Sequence, residues 1–345
     1  MHPEDEFIFI FDRAYDPTFI FGDNVKPVVV SPPARDPILW KIWFDYRLPQ
    51  ILKKEKADLF FSPDGYLSLN TNVPTLLTIH DLAYLHYPEQ VPNRVHKYYK
   101  KYTPKYLQKA HAIVTVSNFV KQDIQSHFKE IDENKIHAVP NACRTSFQAF
   151  DESQKQNILQ TFNGGKPYFF FVGAIHPRKN VLGLLQAFEK FAHTNDSIDL
   201  LVAGRMAWQN TALKKAYEQL KNKERIKFLG YVDDGDLNKL MSGAEAFLYP
   251  SFFEGFGLPI LEAFHAGVPV LTSKVSSMPE VAGNAALLVD PQDTNEITEA
   301  MHKLADSKAL RNKLIEAGKI QRDQFSWDKA AENIYALLKK IKPVS

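Results

Sequence analysis

Short, continuously apolar runs recur along the chain and alternate with segments whose apolar residues fall at helical spacing. In the second half the runs are Tyr168–Val172, Asp199–Ala203, Ile226–Leu229, Ala246–Tyr249 and Val268–Thr272. Apolar character on consecutive positions, rather than on every second one, marks strands covered on both faces. After the first run, Asn180 can cap a helix whose Leu182, Leu185, Phe188 and Ala192 form one face. Such alternation predicts a parallel, doubly wound sheet with right-handed crossovers. The first half carries runs at 7–11, 28–30, 59–61, 75–79 and 112–116 and predicts a second sheet of the same kind. Between the halves lies a polar stretch, 144–166, ending in the turn signal Asn163-Gly164-Gly165. The expected class is α/β: two doubly wound Rossmann-like domains facing a cleft, residues 1–150 and 151–325. Residues 326–345 form an amphipathic helix with basic residues at its end, expected to pack back on the first domain.

Composition narrows the function little. At 345 residues, 45% hydrophobic and a net charge of +2, the chain is an ordinary globular protein without a drive toward nucleic acid. A single cysteine, Cys143, rules out an internal disulfide and fits a reducing, cytoplasmic setting. No apolar run approaches the roughly 20 residues needed to span a bilayer. The FIFIF run at 7–11 is flanked by acidic residues and reads as a buried strand, not a leader.

Chemistry concentrates after the strands. Glu254 lies in a loop with Gly255 and Gly257, and Glu262 lies inside an apolar segment expected to be helical from Leu258 to Ala266. Pro259 suits the first turn and Gly267 the stop. A lone Glu262 reads as a residue on the wet face of its helix. A glycine-bearing loop feeding a helix N-terminus, however, is a ready anion site, because free N–H groups and the helix dipole point the same way. Gly173 to Lys179, GAIHPRK, follows another strand, as do Gly204-Arg205, Gly230-Tyr231 and Ser273-Lys274. These positions, beyond the carboxyl ends of strands, are where open α/β sheets bind ligands. His80-Asp81 holds the same position in the first half. Arg178 and Lys179 at a helix start oppose the dipole, which a bound anion would resolve. Simple exposure is the competing reading for both, and a backbone bond at a strand end is that for His80. Ser273 and Glu280 are either caps or ligands. Asp12, Asp16, Asp233 and Asp234 are scattered as surface and turn residues, so no metal is expected.

Together these residues resemble a known family. The chain looks like a family 4 retaining glycosyltransferase of the glycosyltransferase B fold. The resemblance rests on VGAIHPRKN (172–180), LVAGR (201–205), FLGYV (228–232), the Glu254-to-Glu262 motif and SSMPEVAGNAALLVDP (276–291). TIHDLAYLHYPE (78–89), IVTVSNFVKQDI (113–124) and VPNA (139–142) match in the first half. It implies that Glu262 accepts hydrogen bonds from ribose hydroxyls and that Glu254 holds hydroxyls of the donor sugar. The N–H groups of Phe256, Gly257 and Leu258 would lie near the sugar or diphosphate, with Gly173 beside them. Lys179 and Arg178 would neutralise the diphosphate, Tyr231 and Val232 would flank the base, and His80 would sit beside the transferred sugar. Many relatives need no metal, and no cofactor is implied beyond the nucleotide diphosphate sugar itself. The implied activity moves a hexose to a glycan or lipid-linked acceptor. Likeness to bacterial mannosyltransferases of surface polysaccharide assembly suggests GDP-mannose as donor. A catalytically weak nucleotide-sugar-binding partner subunit and an epimerase on the same fold are the alternatives.

The chain departs from the family pattern in two places. An arginine common after the first glycine of the second domain is replaced by Ala174, with Arg178 as the expected substitute. The family opens with a strand, a glycine-rich loop and a helix ahead of the strand that FIFIFD resembles. Here HPED resembles the end of that helix, so the first unit is expected to be absent and the first domain to be the less stable. Lys97, Lys101, Lys105 and Lys109 form one helical stripe, and Tyr98, Tyr102 and Tyr106 another. They read as a solvated face with tyrosines packed beneath; peripheral contact with an anionic inner membrane face is the competing reading. Pro104 argues for a kink or break there.

Overall fold

The computed structural model describes residues 2–205 and 211–341. The chain divides into two compact units. The first comprises Met1–Thr115, Ile124–His137 and Ile334–Ser345; the second comprises Val116–Asp123 and Ala138–Asn333. The second unit thus begins earlier than residue 150. The reason is hydrogen bonding: Asn238 Oδ1 accepts from Gln148 N–H at 3.2 Å and Ser242 Oγ from Phe150 N–H at 3.0 Å.

In the first unit, β1 (Phe7–Phe11) pairs in parallel with β2 (Val25–Val29). A separate sheet orders β3 (Phe60–Ser62), β4 (Thr75–Ile79), β5 (Ala112–Thr115) and β6 (Ile136–Ala138) in sequence. β1 was expected within one N-terminal sheet; among the described residues it pairs with β2 alone. Both sheets still rest on one apolar layer, since Ile10 and Phe60 pack on the cluster of Val30, Trp43, Phe44, Leu48 and Leu52. β2 begins before the expected 28–30 and takes in Pro27, tolerated because the strand is an edge. The helix Asn93–Lys109 runs through Pro104 without a break, against expectation. Its Tyr98 and Tyr106 are buried and joined hydroxyl to hydroxyl at 2.5 Å, while Lys97, Lys101 and Lys105 are exposed. Packing of the tyrosines holds the helix where its proline would weaken it. At the C-terminus, Tyr335 donates to Asp5 Oδ2 at 2.6 Å, fixing the end of the helix Trp327–Lys340 within this unit. No helix among the described residues is long and apolar enough to cross a membrane.

The second unit is built on a six-stranded sheet. Its strands are β7 (Tyr168–Val172), β8 (Asp199–Ala203), β9 (Ile226–Gly230), β10 (Ala246–Tyr249), β11 (Val270–Ser273) and β12 (Ala286–Val289). The spatial order is β12-β11-β10-β7-β8-β9, with every pair parallel. Phe169, Phe170, Phe171, Leu200, Leu201, Val202 and Phe247 are wholly buried, as strands covered on both faces require. The order reverses between β7 and β10. In doubly wound sheets the crevice at such a reversal is where ligands bind.

Candidate functional site

Two loops leave the sheet at that reversal. After β7, His176 accepts from Arg178 N–H to start the turn Pro177–Lys179. Asn180 then takes a left-handed conformation (φ 55°) and caps the helix Val181–Ala192 through Gly183 N–H. Its buried amide also donates to the carbonyls of Pro250 and Pro291, at 3.0 and 2.7 Å. After β10, the loop is tied to the first by Phe252 N–H donating to Arg178 O and by Arg178 Nη1 donating to Phe253 O, both at 2.8 Å. From the other side, Ser276 Oγ accepts from Glu254 N–H at 3.1 Å, and Ser277 Oγ lies 2.8 Å from the carbonyls of both Glu254 and Phe256.

These ties bring charged groups together. Glu254 is 6% exposed, and its Oε1 accepts from Lys179 Nζ at 2.7 Å and from Tyr249 OH at 2.9 Å. Lys179 Nζ reaches the Tyr249 oxygen at 2.6 Å, and Arg178 Nη1 lies 3.4 Å from Glu254 Oε2. Burial, then the neighbouring Glu254 carboxylate, holds the Tyr249 hydroxyl well above its ordinary pKa. A buried carboxylate flanked by two cations carries a local positive excess, which suits an anion.

Gly257 (φ 100°) turns the chain into the helix Leu258–His265, whose start has no side-chain cap. Phe256 is buried against Phe325, so only its backbone is available at the loop. One turn into the helix, Glu262 is 4% exposed. Burial raises its pKa; Arg144, with Nη2 at 3.2 Å from Oε1, opposes the rise. The same burial, with the Glu262 charge beside it, pushes the Cys143 thiol up to about 12.

Beyond β9, Tyr231 is 71% exposed, and the Arg205 guanidinium lies 5.5 Å from its ring centroid. Val232 beside it is half-buried. Gly173 follows β7 next to Gly204, where a Cβ would fall 1.9 Å from Gly173 O. Ala174 is exposed, and Arg178, its expected substitute, is engaged with Phe253 O and Glu254. Of the two residues open to either reading, Glu280 accepts from the N–H groups of Asn118 and Phe119 and so caps the helix Asn118–His127. Ser273 Oγ donates to Ser251 O at 2.6 Å. His80 belongs to the first unit, at the end of β4, where its Nε2 lies 2.7 Å from Pro63 O. Arg144 and the Tyr249 hydroxyl were not singled out from sequence, whereas Arg205 was placed there by its position after β8.

Comparison with known proteins decides the family. Residues 152–321 match the model of glycosyl transferases group 1, and residues 6–147 that of Glycosyltransferase Family 4. O-antigen chain mannosyltransferase B of Escherichia coli is 32% identical over 312 residues, covering 88% of this chain and 81% of that protein. The chain belongs to the group 1 glycosyltransferases. It is an enzyme of that family, as the resemblance implied. O-antigen chain mannosyltransferase RfbU of Salmonella typhimurium is 26% identical over 272 residues, covering 78% of this chain and 71% of that one. Among solved structures, sucrose-phosphate synthase from Thermosynechococcus elongatus superposes with a TM-score of 0.77 at 17% identity, covering 93% and 84% of the two chains. WaaG, a glycosyltransferase involved in lipopolysaccharide biosynthesis, gives 0.72 at 18% identity, covering 92% and 88%. These likenesses establish two Rossmann-like domains of the glycosyltransferase B fold.

Proposed function

We propose that this glycosyltransferase is a retaining mannosyltransferase that moves mannose from GDP-mannose to a hydroxyl of a glycan or lipid-linked glycan. One observation carries the reading: the enclosed Lys179–Glu254 pair at 2.7 Å, with Arg178 beside it, at the reversal of strand order. It puts cations for a diphosphate and a carboxylate for sugar hydroxyls within one side-chain length. Mannose follows from the names of the O-antigen chain mannosyltransferases that the chain resembles.

In the reaction the bond from the anomeric carbon to the diphosphate oxygen breaks, and its electron pair leaves with GDP. The acceptor oxygen bonds to that carbon on the same face, and its proton passes to the departing diphosphate. Lys179, Arg178 and the N–H groups of Phe256, Gly257 and Leu258 stabilise the charge where it develops. Glu254 orients the mannose hydroxyls. Glu262 accepts from the ribose hydroxyls, Tyr231 and Val232 flank the base, and Gly173 lets the diphosphate approach the backbone. A lipid-linked acceptor would bring the enzyme to the inner membrane face as a peripheral visitor. No resident metal or cofactor is assigned a step.

A thermal-shift panel of nucleotide sugars tests the donor. GDP-mannose at 100 times its dissociation constant should stabilise the fold by about 2.7 kcal/mol. A shift with another nucleotide sugar and none with GDP-mannose would overturn the donor assignment.

A further inference from the structure

Tyr249 ends β10 with its ring buried and stacked on those of Phe171 and Phe247, at centroid distances of 6.2 and 5.6 Å. β10 lies inside the six-stranded sheet, between β11 and β7, so the hydroxyl is placed as rigidly as the sheet itself. The backbone of Glu254 is fixed by its N–H donating to Ser276 and by its carbonyl accepting from Ser277. Its side chain is fixed by other groups. Oε1 accepts from both Tyr249 OH and Lys179 Nζ, whereas Oε2 has the longer 3.4 Å contact with Arg178, whose short bond goes to Phe253 O. A carboxylate only accepts and an ammonium only donates, so the phenol proton points at Glu254 and the phenol oxygen takes Lys179. The two partners of Oε1 differ in stiffness. Lys179 reaches in from the turn after β7 on a flexible four-carbon stem, while the Tyr249 ring is locked in the core.

We propose that Tyr249 is a positioning residue for the sugar half of the donor: its hydroxyl keeps Glu254 in place when Lys179 turns to the diphosphate, a role that rests on the transferase reading above. A diphosphate draws Lys179 Nζ off Oε1, because its charge competes with the carboxylate for one ammonium. Without a second donor, that oxygen of a buried carboxylate would be left unpaired, which is the costly state for a buried charge. Tyr249 meets the need without moving, since its hydroxyl is already on Oε1. Oε2, with the longer contact, keeps lone pairs for a sugar hydroxyl. The nucleotide half of the donor falls to other groups, with Glu262 held by Arg144 rather than by Tyr249. Loss of the Tyr249 hydroxyl therefore separates recognition of the sugar from recognition of the nucleotide.

The test is calorimetry on the full chain with GDP-mannose and with GDP, for wild type, Tyr249→Phe, Glu254→Ala and the double variant, read as the ratio of the two affinities. A thermal melt confirms that each variant is folded. Tyr249→Phe keeps the ring and its stacking; it should weaken GDP-mannose about tenfold and leave GDP unchanged, so the ratio falls. A merely structural tyrosine would weaken both ligands together. The double variant should show the ratio of Glu254→Ala alone, because Tyr249 acts through that carboxylate. This comparison answers even if Tyr249→Phe by itself does not fold, since no carboxylate is then left unpaired. An unchanged ratio in Tyr249→Phe, equal losses of both ligands, or a further fall in the double variant overturns the inference. If Glu254→Ala lowers the ratio and Tyr249→Phe does not, the donor reading stands and the positioning role alone fails. If Glu254→Ala also keeps the wild-type ratio, or wild type binds neither ligand, both fall.

Discussion

Arg144 Nη2 lies 3.2 Å from Glu262 Oε1, while its Nη1 lies 2.6 Å from Asp234 Oδ2. One exposed guanidinium therefore anchors a carboxylate buried inside an apolar helix. The burial dominates, and Glu262 takes a proton more readily in the folded chain than in the unfolded one. Stability from that protonated form is complete below the ordinary glutamate pKa and is lost as pH rises through the raised one. Wherever Glu262 is ionised, its burial is a stability cost that Arg144 offsets only in part.

Glu262→Gln should therefore raise the unfolding midpoint at pH 7 and lower nucleotide affinity by roughly 1.5–3 kcal/mol, the worth of hydrogen bonds to a charged acceptor. Calorimetry with GDP and a thermal melt measure both. Nucleotide binding by wild type should also fade on acidification at a higher pH than an ordinary glutamate would give. A variant that binds GDP like wild type removes Glu262 from the ribose.

Lys179→Ala should reduce turnover by on the order of a hundredfold or more, since its charge matters most as the leaving group forms. Arg178→Ala should lower turnover as well, because its guanidinium flanks the same carboxylate. Steady-state rates with saturating donor measure this, and near-normal turnover in both variants would put the leaving group elsewhere.

Tyr231→Ala should weaken GDP binding by about 0.5–1.5 kcal/mol, a typical aromatic pair energy. Its ring is 71% exposed, so the melt should hardly move. A changed melting point with unchanged affinity would make the ring structural.

Gly204→Ala should destabilise the second unit by at least roughly 1–3 kcal/mol. The residue sits at φ +145°, and the new Cβ would fall 1.9 Å from Gly173 O, backbone against side chain, with no flexible group to yield. Urea unfolding measures the loss, and a variant as stable as wild type would show that β7 and β8 separate easily at their ends.

Much of the second unit was legible in sequence because its strands are apolar on both faces. Tyr168–Val172 and Asp199–Ala203 fall where the runs placed them, and the helix after Gly257 ends at His265, one residue short of expectation. β12 escaped because Ala286–Val289 is short and partly exposed, and β6 because Ile136–Ala138 is three residues with a histidine in the middle. In the first unit, Pro27 disguised β2, and Pro104 suggested an interruption that tyrosine packing overrides. Glu254 and Lys179 were findable because each lies in the loop that follows a strand. Arg144 was not: it lies in an irregular segment with no periodic signal, and its partners are 90 and 118 residues away. Tyr249 closes an apolar strand and reads as core until its hydroxyl is seen on Glu254.

The central claim is mannosyl transfer with retention. Its most direct test is incubation of the full chain with GDP-mannose and a mannose-terminated glycoside, followed by NMR of the product's anomeric proton and carbon. The account predicts release of GDP together with a new α-mannosidic linkage. A β-linked product, or transfer from another nucleotide sugar in preference to GDP-mannose, would contradict it.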